Sequence, residues 1–348
     1  MNRVPSIWID LDNAPHAHFF APLIRDLLTC GFHPLISVRS FGQTEGLAKR
    51  YGMKFTTIGS HKPHGSNAGR AVAALRRAGQ LIEFGIAQRP VAAVSHGSRA
   101  LTLAAAALGI PSMVLYDYEY VSSRVFHLLC DRVLVPEIVE RTSMDPANLT
   151  AYPGFKEDVY VHDFVRDERI LRDLNLDLQG LVVTVRPPAT WAHYHADHST
   201  TLFTALIEHL RACDDAQIVV LARTREQAHD LAKRFALDAP PFRLTWTAVD
   251  GLSLIGFSDA VFSGGGTMAR EAALLGADAY STFAGTPGAI DLELERVGKL
   301  TMLRSTDDIA NILLRKRTRA PRPVQASTTR DFILRQILQL ASKGQRPS

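Results

Sequence analysis

Two stretches of this sequence set groups able to hold a phosphate or move a proton where a strand gives way to a helix. In "FSGGGTMAREAALLG" (262–276) an apolar strand-like run ends in Ser263, Gly264, Gly265 and Gly266, and a helix-like run begins at Thr267. A helix N-terminus carries unpaired N–H groups and about half a positive charge, so it attracts anions. Glycine has no Cβ, which lets the backbone come close to a phosphate. Ser263, the three glycines and Thr267 therefore read as a cradle for a phosphate or diphosphate. The plainer alternative is a tight strand-to-helix turn that needs glycine for a positive φ. Arg270 lies in the first helical turn, where a cation opposes the helix dipole unless an anion is near. Glu271 follows, placed to reach ribose hydroxyls or to act as a favourable charge near the helix start.

The second stretch, "DLDNAPHAH" (10–18), crowds Asp10, Asp12, Asn13 and His16 into one loop at the end of the first strand. A histidine there suits a general base toward a hydroxyl, or a donor to a phosphate. A capping or solvated histidine is the alternative, and His18, already inside the helix, is the weaker candidate. Arg186 in "TVRPP" ends a strand and is read as a phosphate clamp or a surface ion pair, and Arg223 joins it more weakly. "YDYEY" (116–120) offers Asp117 and Glu119 as base or acceptor contacts, against a solvated loop. Lys156 and Glu157 of "GFKE" either line a site or form a hinge ion pair. The spacing of His193, His195, Asp197 and His198 could suit a metal. A histidine-rich loop is the commoner reading, so no metal is expected.

These residues need elements to hold them. Strand-like and helix-like runs alternate from Ser6–Leu11 to Arg132–Val135 and again from Leu181–Val185 onward. Between them, Pro136–Gln179 is mixed and charged. Alternation of this kind predicts parallel sheets with helices on both faces, one doubly wound domain on each side of the break. The expected divisions are residues 1–165, a linker over 166–179, a second domain over 180–325, and a C-terminal helix and tail over 326–348. The basic run "RKRTRAPRP" (315–323) reads as a solvated linker, with attraction to anionic lipid as the alternative.

Composition narrows the classes. The chain has 348 residues, 46% hydrophobic and 21% charged, which predicts a globular protein with a sizeable core. A net charge of +4 accommodates anionic partners without demanding nucleic acid. Cys30, Cys130 and Cys213 are far apart and odd in number, which fits a reducing cytoplasm rather than a disulfide framework. Asp10 comes too early for a signal peptide, and no apolar stretch is long enough to span a membrane.

The glycine turn, followed by a Glu five residues before Gly276, resembles nucleotide-sugar enzymes of the GT-B fold. The two nearest patterns are the lipid II-forming N-acetylglucosaminyltransferase and the non-hydrolysing UDP-N-acetylglucosamine 2-epimerase. More specifically, "DLDNAPHAHFFAPLI", "YPGFKEDVYV", "VRP" and "GGGTMAREAALLG" resemble domain of unknown function 354, over the chain to about residue 300.

That resemblance implies an α/β, GT-B-like fold, with two Rossmann-like domains whose parallel sheets face a central cleft. His16 matches a cleft-facing histidine of the lipid II type, and with Asp12 and Glu119 it forms the expected catalytic set. Arg186, Ser263, Gly264, Gly265, Gly266, Thr267 and Glu271 would bind the nucleotide sugar. Asn13, His96, Ser98, Asp117, Lys156 and Glu157 would line the cleft.

"SHGSRA" (95–100) and "TVRPP" are similar to two epimerase segments, but Ser98 and Val185 stand where those carry proton-transfer groups. This favours a glycosyltransferase in cell-surface polysaccharide or glycolipid synthesis. An epimerase, or a non-catalytic nucleotide-sugar binder, are the alternatives. The nucleotide-diphosphate sugar is the expected substrate, with no separate cofactor and no nucleic acid partner. The acceptor is unnamed, with a lipid-linked one as an option. A cytoplasmic place is expected, with peripheral contact at the inner membrane face as the alternative.

Overall fold

The computed structural model describes residues 4–60, 67–140, 147–188, 197–213, 215–318 and 325–345. The chain forms two compact units, one of Met1–Tyr160 with Ala326–Ser348, the other of Val161–Gln325.

In the first unit the chain runs β1 (Ser6–Leu11), α1 (Pro15–Thr29), β2 (His33–Ser40), α2 (Thr44–Arg50), β3 (Phe55–Ser60), α3 (Asn67–Gln88) and β4 (Ala92–His96). It continues with α4 (Arg99–Ala107), β5 (Ser112–Leu115), α5 (Arg124–Leu129), β6 (Arg132–Pro136), α6 (Glu137–Glu140), β7 (Leu149–Tyr152) and α7 (Asp158–Val161). The seven strands lie in the order β3-β2-β1-β4-β5-β6-β7, every pair parallel. Strands covered on both faces read as continuous apolar runs, and all six residues of β1 are buried. Trp8 sits in a cluster with Ile58, Ala78, Leu81, Ala93 and Leu101, which seats α3 and α4 on one face. Strand order reverses between β1 and β4. A crevice opens at such a reversal, beyond the carboxyl ends of the strands.

The second unit runs α8 (Arg169–Asp173), β8 (Leu181–Arg186), α9 (Asp197–Arg211), β9 (Ala216–Leu221), α10 (Arg225–Phe235), β10 (Phe242–Thr245) and α11 (Gly251–Phe257). It continues with β11 (Ala260–Ser263), α12 (Gly266–Leu275), β12 (Asp278–Ser281), α13 (Ala289–Arg296), β13 (Thr301–Met302) and α14 (Thr306–Ala310). The order β10-β9-β8-β11-β12-β13 is again wholly parallel and reverses between β8 and β11. The last helix, α15 (Thr328–Gly344), belongs to the first unit, with Ile333, Ile337 and Leu340 fully buried.

The structure differs from the expected divisions in three places, each for a reason of packing. Residues 166–179 are not a linker. Ile170 on α8 is 1% exposed against Val219, Leu221, Leu254 and Phe257, with Leu171, Leu174, Leu176 and Leu178 packed around them. Within the segment 326–348, α15 is not a separate tail but completes the first core. The basic run is exposed at Arg315, Lys316 and Thr318 but is tied to the second unit where it is described. Lys316 donates to the carbonyls of Leu178 and Gly180, and Arg317 donates to Leu275, Ile255 and Gly256, which end α12 and α11. Among the described residues no helix is long and apolar enough to cross a membrane.

Candidate functional site

Each unit gathers charged groups at the point where its strand order reverses. In the second unit Arg186 ends β8 and the glycine turn ends β11, on adjacent strands. The amide of Gly264 donates to the Arg186 carbonyl at 2.9 Å. Ser263 is fully buried, and its hydroxyl donates to the Gly265 carbonyl and accepts from the Gly265 amide. Gly265 is the N-cap of α12, and no side chain caps that helix. Its N-terminus, with Thr267 in the first turn, presents backbone amides and no capping side chain.

The glycines are required here for space, not for backbone conformation. None of the three has a positive φ, and Gly265 is extended at φ −159°. A Cβ on Gly264 would lie 2.7 Å from the Pro188 backbone, whereas one on Gly265 would lie 3.1 Å from the Arg223 guanidinium.

Arg223 follows β9, so its guanidinium and that of Arg186 share this corner. Arg186 donates to the carbonyls of Leu221 and Ala222. Burial, then the neighbouring Arg223, bring its pKa down to about 9, with Glu271 opposing. Burial also lowers Arg223. Among the described residues neither arginine forms an ion pair, and the Arg223 Nε has no hydrogen-bond partner.

Arg270 is different. The residue is 4% exposed, and its guanidinium is paired two-fold with Asp291 on α13, at 2.6 and 3.1 Å. The anion expected beside it is therefore internal. Glu271 is buried, close enough to Arg186 to raise its pKa.

In the first unit the β1 loop faces β4. Asp10 is fully buried and accepts from Ser37, Ser98 and both terminal nitrogens of Arg77, at 2.6 to 2.8 Å. The Ser37 hydroxyl accepts in turn from the Trp8 indole. Ser98 also caps α4 by accepting from the Leu101 amide. It is wholly buried, so it does not line an open surface, and its hydroxyl is spent on structure.

Asp12 sits between Arg77 and Arg39, at 3.2 and 3.3 Å. Burial raises its carboxyl pKa, with Asp10 adding, against the pull of both arginines. For Arg77 burial works downward, but Asp10 and Asp12 outweigh it and hold the guanidinium above its ordinary value. In the sequence Arg77 stands only as one basic residue of a helix-like run. The signal for more was its phase, since it neighbours Ala78 and lies one turn before Leu81 on the buried face of α3.

Beyond Asp12, the His16 ring lies 5.1 Å from that of His96, which ends β4. Its Nδ1 accepts from the Asp12 amide at 3.2 Å. Asn13 is exposed and uses its side chain to accept from the Ala14 amide. Asp117, after β5, takes the Lys156 ammonium at 2.6 Å on one oxygen and lies 3.6 Å from the His96 Nε2 with the other. Glu157 is fully buried, 3.7 Å from the same ammonium. His96, Asp117, Lys156 and Glu157 are thus one buried group, not separate surface residues.

Glu119 is half-buried on the loop after β5. His18 bonds Tyr51 at 2.6 Å and stacks on Tyr160 within the core. His193 and His195 lie outside the described residues, while Asp197 and His198 open α9, with His198 exposed. Among the described residues no group of three His, Cys, Asp or Glu side chains is placed to hold a metal.

The profile of the family described as "Protein of unknown function (DUF354)" matches residues 5–335. The uncharacterized protein MJ0665 of Methanocaldococcus jannaschii is 26% identical over 289 residues, 80% of this chain and 81% of that one. Among solved structures, the chain is similar to the UDP-GlcNAc 2-epimerase of Neisseria meningitidis bound to UDP-GlcNAc. That match has a TM-score of 0.71 and 13% identity, covering 96% of this chain and 100% of the other. It is similar too to the Methanocaldococcus jannaschii UDP-GlcNAc 2-epimerase in complex with UDP-GlcNAc and UDP, with a TM-score of 0.70, 13% identity, and coverage of 96% and 99%. A glycotransferase of kitacinnamycin matches with a TM-score of 0.55 and 15% identity, covering 98% of this chain and 92% of that one. At these identities the likeness shows the fold, which is of GT-B type with two Rossmann-like domains.

Proposed function

The chain belongs to the DUF354 family of proteins of unknown function, and from that premise we propose that it is a nucleotide-sugar-dependent glycosyltransferase. One observation carries this reading. Two guanidiniums that have no carboxylate partner among the described residues, Arg186 and Arg223, stand with the glycine turn at the N-terminus of α12, which no side chain caps. Concentrated positive charge beside backbone amides suits a diphosphate. Ser263, Gly264–Gly266 and Thr267 would take the diphosphate, and Glu271 the ribose.

In the transfer step, an acceptor oxygen forms a bond to the anomeric carbon of the sugar. The bond from that carbon to the phosphate oxygen breaks, and the electron pair leaves on the diphosphate. The arginines and helix amides stabilise the charge that develops there. The acceptor's proton passes to a carboxylate base. Asp12 suits this task because its raised pKa makes it the stronger base. Glu119 is the second candidate. The structures of two epimerases contain UDP-GlcNAc, so a uridine diphosphate sugar is the first donor to try.

The test is calorimetric titration with UDP, UDP-GlcNAc and a panel of other nucleotide sugars, with the free nucleosides as controls. A ligand that binds only the native state also raises the unfolding midpoint. Diphosphate forms should bind and nucleosides should not. Failure of every diphosphate form removes the reading. Incubation with UDP-GlcNAc in deuterated water separates the epimerase. Deuterium appearing at C2 of the sugar overturns transfer in favour of epimerisation. The burial of Ser98 and Val185 argues against that outcome, because neither presents an acid or base.

A further inference from the structure

We propose that His16 is a neutral hydrogen-bond donor that presents Nε2–H to a substrate oxygen, and not the base that takes the acceptor's proton. The geometry starts from a backbone amide. The Asp12 N–H can only donate, and it lies 3.2 Å from the His16 Nδ1. Nδ1 must therefore keep its lone pair, and a neutral imidazole so placed carries its proton on Nε2. Protonating Nδ1 would set two N–H groups against each other. The atom that a base must leave free is the one already holding hydrogen. Among the described residues the ring makes no other hydrogen bond, so Nε2–H is left for a ligand.

The surroundings reinforce the neutral form. Burial, then His96 and Lys156, lower the pKa of His16 well below the ordinary histidine value, and Arg77 adds to them. Asp117 opposes them, but its carboxylate is held by Lys156. Asp12, on the same loop, has its carboxylate between Arg77 and Arg39. His16 is half-buried, so a ligand can reach it. This role rests on the transferase reading for its substrate, but the tautomer does not.

The test uses the full chain labelled with ¹⁵N at histidine. Two-bond ¹H–¹⁵N spectra distinguish the tautomers, and His16→Gln assigns the signal. His16 should show the Nε2–H pattern and stay neutral at the pH near 6.5 where a free histidine is half protonated. An Nδ1–H pattern, or a midpoint near 6.5, overturns the proposal. These results stand whatever nucleotide sugar is bound, so the transferase reading can fail separately.

Once a turnover assay exists, His16→Gln should remain within about tenfold of the parent, because its amide can accept from Asp12 and still donate. His16→Ala should lose about 10²–10³-fold, as for removal of a transition-state donor. Equal inactivity of a folded His16→Gln and His16→Ala would mean a base, and would overturn the donor role.

Discussion

Arg223→Met should weaken nucleotide binding while leaving the empty protein at least as stable as before. Methionine keeps most of the apolar stem and removes the charge. The Arg223 backbone amide still donates to Gln227, so the turn into α10 survives. In the empty protein the guanidinium is a liability. Burial lowers its pKa, its Nε lacks a partner, and it stands against Arg186. With a diphosphate bound, each hydrogen bond to a charged group contributes about 1.5–3 kcal/mol. At 1.4 kcal/mol per decade, loss of one such contact raises Kd about 10- to 150-fold. Urea titration of the empty variant and calorimetry with UDP measure the two effects separately. If the empty variant loses more than about 1 kcal/mol, Arg223 is structural. If Kd for UDP is unchanged, the phosphate site lies elsewhere. Either result refutes the reasoning.

The glycine turn should divide by position. Gly264→Ala forces a Cβ to 2.7 Å from the Pro188 backbone and should lower the unfolding midpoint, whereas Gly265→Ala meets only a mobile arginine end and should fold normally but bind UDP more weakly. Circular dichroism melts with calorimetry decide this, and equal midpoints for the two would contradict the steric account. Asp10→Asn removes the closer and fully buried of the two carboxylates that hold Arg77, leaving Asp12 at 3.2 Å, and should cost about 3–5 kcal/mol in a denaturant titration, with a loss under 1 kcal/mol counting against a central role for that pair. Because the folded state lowers the His16 pKa, unfolding should take up a proton below the unfolded value near 6.5. The His16 contribution is complete above that pH and is lost as pH falls toward the folded value, at up to about 1.4 kcal/mol per pH unit. His16→Gln should flatten the fall in stability between about pH 7 and 5.5, and an unchanged slope would contradict the shift.

The alternating pattern was legible wherever strands are covered on both faces. Ser6–Leu11 is read and observed with the same bounds, because both faces demand apolar residues. The strand β7, Leu149–Tyr152, was missed, since three of its four residues are only half-buried and its composition is mixed. Local rules placed the glycine turn, Arg186 and the β1 loop at strand ends, because a strand end next to a helix start is a local feature. Pairings across long stretches of sequence were not visible. Asp291 answers Arg270 from 21 residues away, and Asp10 meets Arg77 from 67. A carboxylate gives no sign in sequence of which cation it will find. The same holds for Ser98, where resemblance suggested a place for an acid and the fold uses a hydroxyl as both cap and donor.

The return of the chain to its first unit has a consequence for how the protein is made. The Thr329 hydroxyl donates to the Pro153 carbonyl across 176 residues of sequence, and Ser327 to the Asp158 carbonyl across 169. Synthesis proceeds from the N-terminus, so the second unit is wholly translated before the first can close. The earlier unit waits with the seats of Ile333, Ile337 and Leu340 unfilled, while the later one can form on its own. A chain truncated after residue 325 should therefore hold a protease-resistant second unit and a susceptible first one. Docking of α15 would then be the step that commits the first unit to its native state.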